Sequence, residues 1–228
     1  EYYQADVLTG FEKRAFEYDY DVCVFGMYQK YQSSAAREIG ETSIFSIIPY
    51  EEFDGVVMML DTLQTPGLAD SIELIVKERC SCPVLSVDKL SDNFASITPN
   101  HYTAVKAEIA HLIEEHGYTD IAYLTGKAWH PYSKERLRAF VDCMHEHGLE
   151  VPDNRIFYGD FWYTSGENLG DRLVRSGDRL PQVIACANDC MAIGLAKSLT
   201  ANGYRIPDDI AIMGYDSTEE GRLSPVPL

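Results

Sequence analysis

The clearest pattern lies in the second half of the chain, where short apolar runs alternate with amphipathic segments. Four glycines follow helical segments at intervals of 31, 29 and 26 residues: Gly117, Gly148, Gly177 and Gly203. Each precedes a strand-like run, and the runs read DIAYLTG, RIFYGDF, PQVIACAND and DIAIMGYD. A glycine just after a helix suits a left-handed C-terminal cap. Because one βα unit spans ~30 residues, the pattern predicts successive βα units.

The segments between these runs carry the apolar stripes of helices. Apolar residues recur at i, i+3, i+4 and i+7 in two of them: Leu137, Phe140, Val141 and Met144, then Ala192, Leu195, Ala196 and Leu199. The first half predicts a helix over 4–18, strands at YDVCVFGM, FDGVVMML and PVLSVD, and a helix near 68–78, while 28–52 is the least regular stretch. Alternating strands and helices predict an α/β fold with parallel sheets flanked by helices.

Charge and composition narrow the function classes. The chain has 36 acidic and 19 basic residues, a net charge of −17, which disfavours DNA binding by these residues. No apolar run reaches the ~20 residues of a membrane helix, so we expect no membrane partner. Six cysteines, mostly inside apolar runs, indicate reduced core thiols and a cytoplasmic protein. The chain opens directly into a helix and stops at SPVPL, so we expect truncation at both ends.

Several common chemistries have no motif in this sequence. The glycine-rich patterns of dinucleotide and nucleoside triphosphate sites are absent, and so is the G-x-S-x-G elbow of serine hydrolases. Neither Cys80-x-Cys82 nor Cys186-x3-Cys190 has a second pair at zinc spacing. We therefore expect no cofactor, no metal and no catalytic residues, although the many carboxylates leave an enzyme possible as a third class of function.

Polar and aromatic residues gather where the predicted strands end. Ligands of open parallel sheets bind outside the carboxyl ends of the strands. The loop after DIAYLTG also carries Tyr132, and the candidates at these ends are Asp88, Trp129, His130, Arg136, Phe161, Trp162, Asn188, Asp189 and Asp216. Carboxylates, an amide and a guanidinium suit hydroxyl-rich or heterocyclic ligands, and aromatic faces suit sugar rings or bases.

Each of these candidates also has a structural interpretation. Asn188 and Asp189 stand where a helix begins, and both residue types are favoured N-caps. Asp88 is equally compatible with a turn, and Phe161 belongs more readily to a core, as does Trp162. The residue pattern alone leaves these alternatives open.

The segment CANDCMAIGLAKSLTANGYRIPDDIAIMGYDS closely resembles the signature of the ligand-binding domain of LacI/GalR-type transcription regulators. HLIEEHGYTDIAYLTG, YSKERLRAFVDCMHEHGLEVP and YYQADVLTGFEKRAFEYDYDV resemble further segments of that family, with Ala139 where glycine is usual. The resemblance covers most of residues 2–224. It is specific over 99–216 and loose over 28–80.

This resemblance implies a type I periplasmic-binding-protein-like fold with two Rossmann-like lobes and a ligand cleft between them. The first lobe would comprise residues 1–98, with 206–228 returning to it, and the second lobe residues 99–205. By position, Asp189 and Arg136 match the family's main polar ligand contacts, and Phe161 matches its aromatic wall. Asn188 shares their motif, and the matching first-lobe contacts are Tyr3 and Asp88.

The implied function is that of a non-enzymatic sensor domain that binds a sugar-like or nucleoside-like effector. The resemblance also implies a homodimer, for which FDGVVMML could supply an apolar surface, and DNA binding only through a separate domain outside this chain. FSIIPYEEFDGVVMMLDTL and GDFWYTSGE also look like sensors attached to a diguanylate cyclase. A solute-binding protein of a transport system shares the fold, so both remain alternatives.

Overall fold

The computed structural model of the chain describes residues 2–27, 40, 42–60, 63, 67–226 and 228, with only the backbone of residues 2 and 3. Two compact units result: Gly10–Pro99, and Asn100–Leu228 grouped with the first nine residues. Within the irregular stretch 28–52, residues 28–39 and 41 lie outside the described residues. Among the helices that are described, none combines the length and the apolar character needed to cross a membrane.

The unit of residues 10–99 contains a parallel sheet of three strands in the order β1-β2-β3. The strands are β1 (Val56–Met58), β2 (Val84–Val87) and β3 (Ala95–Ile97), and the long helices of the first hundred residues are α1 (Tyr2–Glu17) and α2 (Leu68–Arg79). Short 3-10 turns cover Ser43–Ser46 and Tyr50–Glu52. Ile72 and Val76 of α2 pack with Met58 in a small core.

The predicted strand YDVCVFGM is wrong for the structure as described. Residues 20–27 have no regular secondary structure. A strand needs a hydrogen-bonded neighbour, and the ladders formed by the described residues join only β1, β2 and β3 in this unit. Apolar alternation alone therefore overstated the strand content of the first half.

The unit that begins at Asn100 contains a four-stranded parallel sheet in the order β5-β4-β6-β7. Its strands are β4 (Ile121–Thr125), β5 (Ile156–Tyr158), β6 (Val183–Cys186) and β7 (Ala211–Met213). Its helices are α3 (His101–Glu114), α4 (Pro131–Glu146), α5 (Tyr163–Ser176), α6 (Asp189–Ala201) and the short α7 (Glu219–Arg222). Every residue of β4 and β6 is buried, as expected for strands covered on both faces.

The predicted periodicity of this unit is confirmed at its helices and caps. Phe140 and Met144 of α4 are buried, as are Leu195 and Leu199 of α6. The glycines that follow the helices all have positive φ: 71° at Gly117, 72° at Gly148, 66° at Gly177 and 87° at Gly203. These left-handed caps end each helix and return the chain to the sheet.

Helices α5 and α6 approach closely at two glycines. A Cβ atom at Gly166 would clash with the carbonyl oxygen of Met191, and one at Gly194 would clash with that of Tyr163. Only glycine permits this separation of the two backbones. This contact fixes the start of α6, where Asn188 is the N-cap and Asp189 is the first helical residue.

We expected residues 206–228 to return to the first lobe, and the structure contradicts this prediction. Strand β7 instead pairs in parallel with β6, with Val183 opposite Ala211 and Ala185 opposite Met213. Ile210 and Ile212 are buried in the core of the 100–228 unit, and Val226 packs against it. Helix α6 is the crossover from β6 to β7, so β7 lies beside β6. The apolar residues of β7 therefore pack in the core of this sheet.

Candidate ligand-binding site

Arg136 is the centre of a buried polar cluster at the carboxyl ends of the strands in the 100–228 unit. It lies on α4, and only 8% of it is exposed. Its Nη1 donates to the carbonyl oxygen of Ala187, just after β6. Its Nη2 lies 3.2 Å from Nδ1 of His101. The guanidinium carbon is 4.1 Å from the ring centre of Tyr215 and 5.9 Å from that of Phe161.

The charge of Arg136 has no close counter-ion within the described part of the chain. No carboxylate there lies within 4.0 Å of its nitrogens, and its buried Nε has no hydrogen-bond partner. The carboxylates of Glu108, Asp189 and Asp216 act on the cluster from longer range. Because burying an unpaired charge is costly, this arrangement favours a ligand group that accepts hydrogen bonds from the guanidinium.

Burial shifts the titration of the groups around Arg136. Burial raises the pKa of Glu108 to about 7, an effect that Arg136 opposes and that Asp216 and Asp189 reinforce. Desolvation also raises the pKa of Asp216. Burial, followed by the charge of Arg136, lowers the pKa of His101 to about 3. His101 is therefore neutral at physiological pH, whereas the pKa of Glu108 lies close to physiological pH.

Asp189 is tied to the segment that follows β7. It is 3% exposed, and its Oδ1 accepts from the backbone nitrogen of Tyr215 at 3.0 Å. Its Oδ2 accepts from the backbone nitrogen and the hydroxyl of Thr218 at 2.6 and 2.8 Å. A Cβ at Gly214 or Gly221 would clash with this carboxylate. Both oxygens of Asp189 thus hold residues 214–221 beside the start of α6.

Asn188 both caps α6 and holds Phe161. Its Oδ1 accepts from the backbone nitrogen of Met191 at 3.0 Å, which is the predicted N-cap contact. Its Nδ2 donates to the carbonyl oxygen of Phe161 at 2.9 Å. Phe161 has φ of 68°, a strained value for an aromatic residue, and a Cβ at Gly126 would clash with its ring. Such strain persists only where neighbouring contacts enforce it.

The aromatic candidates divide between the cluster and its edge. His130 is buried, with ring centres 5.6 Å from Phe161 and 5.9 Å from Tyr132. Trp129 is half-exposed and lies 5.5 Å from His130. Trp162 precedes α5, where its ring packs 5.4 Å from that of Tyr163. Trp129 therefore borders the cluster through His130.

Two predicted contacts come from the first hundred residues. Asp88 belongs to the 10–99 unit, where it follows β2 with a left-handed φ of 62° and its amide donates to Ile97. It is buried. The side chain of Tyr3 lies outside the described residues. The roles of Asp88 and Tyr3 stay predictions.

Sequence reasoning missed His101 and Tyr215, and it noted Tyr132 without placing it in the site. The hydroxyl of Tyr215 lies 2.8 Å from Nδ1 of His101, whose ring centre is 4.4 Å from that of Tyr132. One signal was available: His101 falls on the same helical face as the buried Val105 and Ile109. A polar residue on a buried face requires a partner.

Comparison with known proteins agrees with this architecture. Residues 109–228 match the family described as periplasmic binding protein-like domain. The chain belongs to this family.

Two curated relatives are both described as HTH-type transcriptional repressor PurR. The protein from Actinobacillus pleuropneumoniae serotype 3 is 33% identical over 175 residues, which cover 77% of this chain and 50% of the relative. The protein from Salmonella newport is 24% identical over 223 residues, which cover 97% of this chain and 62% of the relative. The chain thus spans about half to three-fifths of the length of these relatives.

Solved structures show the same fold. A LacI family transcriptional regulator from Lactobacillus casei, with bound sucrose, is 25% identical with a TM-score of 0.74, covering 100% of this chain and 80% of the other. The transcription regulator CcpA of Lactococcus lactis is 21% identical with a TM-score of 0.76, covering 97% and 76%. These neighbours confirm the α/β fold with parallel sheets flanked by helices.

Proposed function

We propose that the chain is the effector-binding sensor domain of a LacI-type transcriptional regulator, and that Arg136 contacts the effector. The observation that supports this most strongly is a buried guanidinium that has no close counter-ion among the described residues. It is set among aromatic rings at the carboxyl ends of β4 and β6. An ordinary structural arginine would be solvated or paired.

The chemistry around Arg136 favours a ring-shaped ligand rich in hydrogen-bond acceptors and hydroxyl groups. The rings of Phe161 and His130 offer apolar faces, and Asp216 offers a carboxylate to hydroxyl or amine donors. A sugar-like or nucleoside-like molecule meets these demands. The bound sucrose of the Lactobacillus casei regulator supports the same class of ligand.

The remaining parts of the proposal concern the whole protein. We infer a cytoplasmic regulator that is not an enzyme and that reaches DNA only through a separate domain. Both curated relatives are repressors, which favours this output over a diguanylate cyclase or a transport system. Binding would change the output through different affinities of the ligand for two conformations of the domain.

A thermal-shift screen of sugars, nucleosides and small acids tests the ligand site. A ligand at a hundred times its dissociation constant should stabilise the folded chain by about 2.7 kcal/mol. Isothermal titration of the strongest compound against wild type and Arg136→Met should show binding only to wild type. Equal affinity of both proteins would contradict the proposed role of Arg136.

The predicted homodimer has its own test. Val57, in the apolar stretch after Gly55, is an exposed large apolar side chain. Sedimentation equilibrium should show a reversible dimer that Val57→Asp weakens. Monomer alone at high concentration would count against dimerisation by this chain.

A further inference from the structure

We propose that His101 is a positioning residue for the ligand site, because its neutral imidazole holds the guanidinium of Arg136 and the hydroxyl of Tyr215 in their contact geometry. The inference rests on the proposed function of Arg136 as the ligand contact. His101 lies in none of the motifs from which the site was predicted. It would act on the ligand through the side chain of Arg136.

The geometry places His101 between two elements of the site. Nη2 of Arg136, on α4, lies 3.2 Å from Nδ1 and 3.4 Å from Nε2 of the imidazole. The hydroxyl of Tyr215, after β7, lies 2.8 Å from Nδ1. His101 itself is the first residue of α3 and is 5% exposed. One ring therefore connects α3, α4 and the segment after β7.

The protonation state of His101 follows from its neighbours. Nη2 of Arg136 is almost equally far from both ring nitrogens, so the guanidinium lies over the face of the imidazole, and the hydroxyl of Tyr215 is the nearer partner of Nδ1. We therefore assign Nδ1 as the acceptor from Tyr215 and the proton to Nε2. Burial, followed by the charge of Arg136 and the nearby His130, lowers the pKa of His101 to about 3. The remaining rings that face it, Tyr132 and Tyr215, carry no charge at neutral pH.

Fixing Arg136 matters because its other restraints are few. It donates to Ala187 and stacks on Tyr215, while its Nε has no partner among the described residues. Long side chains lose entropy when a ligand immobilises them. A neighbouring neutral ring that already orients the guanidinium removes part of that cost before the ligand arrives.

The first test measures the side chain of Arg136 without any ligand. Rotation about its Cζ–Nε bond can be followed by ¹⁵N NMR in wild type, His101→Leu and His101→Asn. The amide oxygen of asparagine can accept from the guanidinium of Arg136 or the hydroxyl of Tyr215, whereas leucine keeps bulk without a polar group. We expect slow rotation in wild type and His101→Asn and fast rotation in His101→Leu. Equal rotation in all three would overturn the proposal.

The same spectra report the imidazole directly. The ring nitrogens of His101 should keep the pattern of a neutral Nε2–H tautomer from pH 8 to pH 5. A titration of His101 within this interval, or a proton on Nδ1, would contradict the assigned acceptor role. His111→Leu, on the exposed side of the same helix, is the matched control and should leave the Arg136 signals unchanged.

The second test is a double-mutant cycle with sucrose and adenosine as probes. For a probe that binds wild type, His101→Leu should weaken affinity about tenfold, and His101→Asn should retain most of it. In the Arg136→Lys background, which keeps the charge without the guanidinium fork, His101→Leu should cause less than about a twofold further loss, because its effect passes through the guanidinium. An equal tenfold loss in both backgrounds would show that His101 acts independently of Arg136 and would overturn the proposal.

The two tests separate the two hypotheses. If neither probe binds while Arg136 rotates as predicted, the assigned ligand class is wrong and the positioning role of His101 stands. If a probe binds through Arg136 but His101→Leu changes neither rotation nor affinity, the proposed function stands and the role of His101 is wrong.

Discussion

Glu73 and Arg136 are buried charges, one in each unit, and their hydrogen-bonding surroundings are opposite. In the 10–99 unit, Glu73 is 5% exposed and accepts from Nζ of Lys89 at 2.8 Å, the hydroxyl of Ser91 at 2.6 Å and the amide of Asn93 at 2.9 Å. In the 100–228 unit, Arg136 has no close carboxylate within the described ranges and keeps a buried nitrogen without a partner.

We interpret this difference as that between a structural charge, Glu73, and the charge that we propose contacts a ligand, Arg136. A buried charge with all its hydrogen bonds made rigidifies its surroundings, and Glu73 fixes the loop after β2 in this way. A buried charge with unfilled hydrogen-bonding capacity gains most when a further partner arrives. By this criterion Asp189, whose oxygens accept three hydrogen bonds, belongs with Glu73 although it lies beside Arg136.

The largest expected effect follows from removing Asp189. Asp189→Ala should leave the amides of Tyr215 and Thr218 unpaired and lower the free energy of unfolding by about 3–5 kcal/mol. Chemical denaturation measures this value, and Asp189→Asn, which keeps one acceptor, should cost less. An Asp189→Ala protein of unchanged stability would place this carboxylate with Arg136 instead.

A smaller loss is expected at Glu73. Glu73→Ala should reduce the free energy of unfolding by about 2–3 kcal/mol, since it leaves Lys89, Ser91 and Asn93 without their shared acceptor. Glu78→Ala is the matched control, because Glu78 is an exposed glutamate on the same helix. That control should change stability by less than about 0.5 kcal/mol. Equal effects of the two substitutions would remove the contrast drawn here.

The contribution of Glu73 should also depend on pH. Burial raises its pKa, but the hydrogen bonds from Lys89, Ser91 and Asn93 dominate and lower it from 4.5 to about 2. A carboxyl group with a lowered folded-state pKa stabilises the protein above its unfolded pKa, and this stabilisation is lost as pH falls from about 5 towards 2. The stability difference between wild type and Glu73→Gln should therefore shrink in acid. A constant difference from pH 7 to pH 3 would contradict this.

The same contrast explains how far the sequence could be interpreted. Periodicity and capping glycines predicted the helices and strands after Asn100, because helix stripes and left-handed caps are local features. The sheet to which β7 belongs and the lack of a strand at 20–27 depend on long-range pairing, which local pattern does not contain.

The site followed the same rule. Arg136 was identified through a motif and Asn188 through its capping position, both of which are local signals. The contact of His101 with Tyr215 joins residues that are 114 positions apart, so only the fold could bring them together. The hydrogen bonds that both Asp189 oxygens accept from Tyr215 and Thr218 could not be predicted for the same reason.

Arg136→Met should change stability less than Asp189→Ala or Glu73→Ala. It also tests the central claim most directly. Replacing a buried charge that has no close counter-ion among the described residues by an apolar side chain of similar length should alter the free energy of unfolding by less than about 1 kcal/mol. The decisive measurement is isothermal titration of this variant and of wild type with the compound that most stabilises wild type. We predict a fully folded variant that no longer binds. Undiminished affinity, or a loss of stability as large as that expected for Asp189→Ala, would contradict the account.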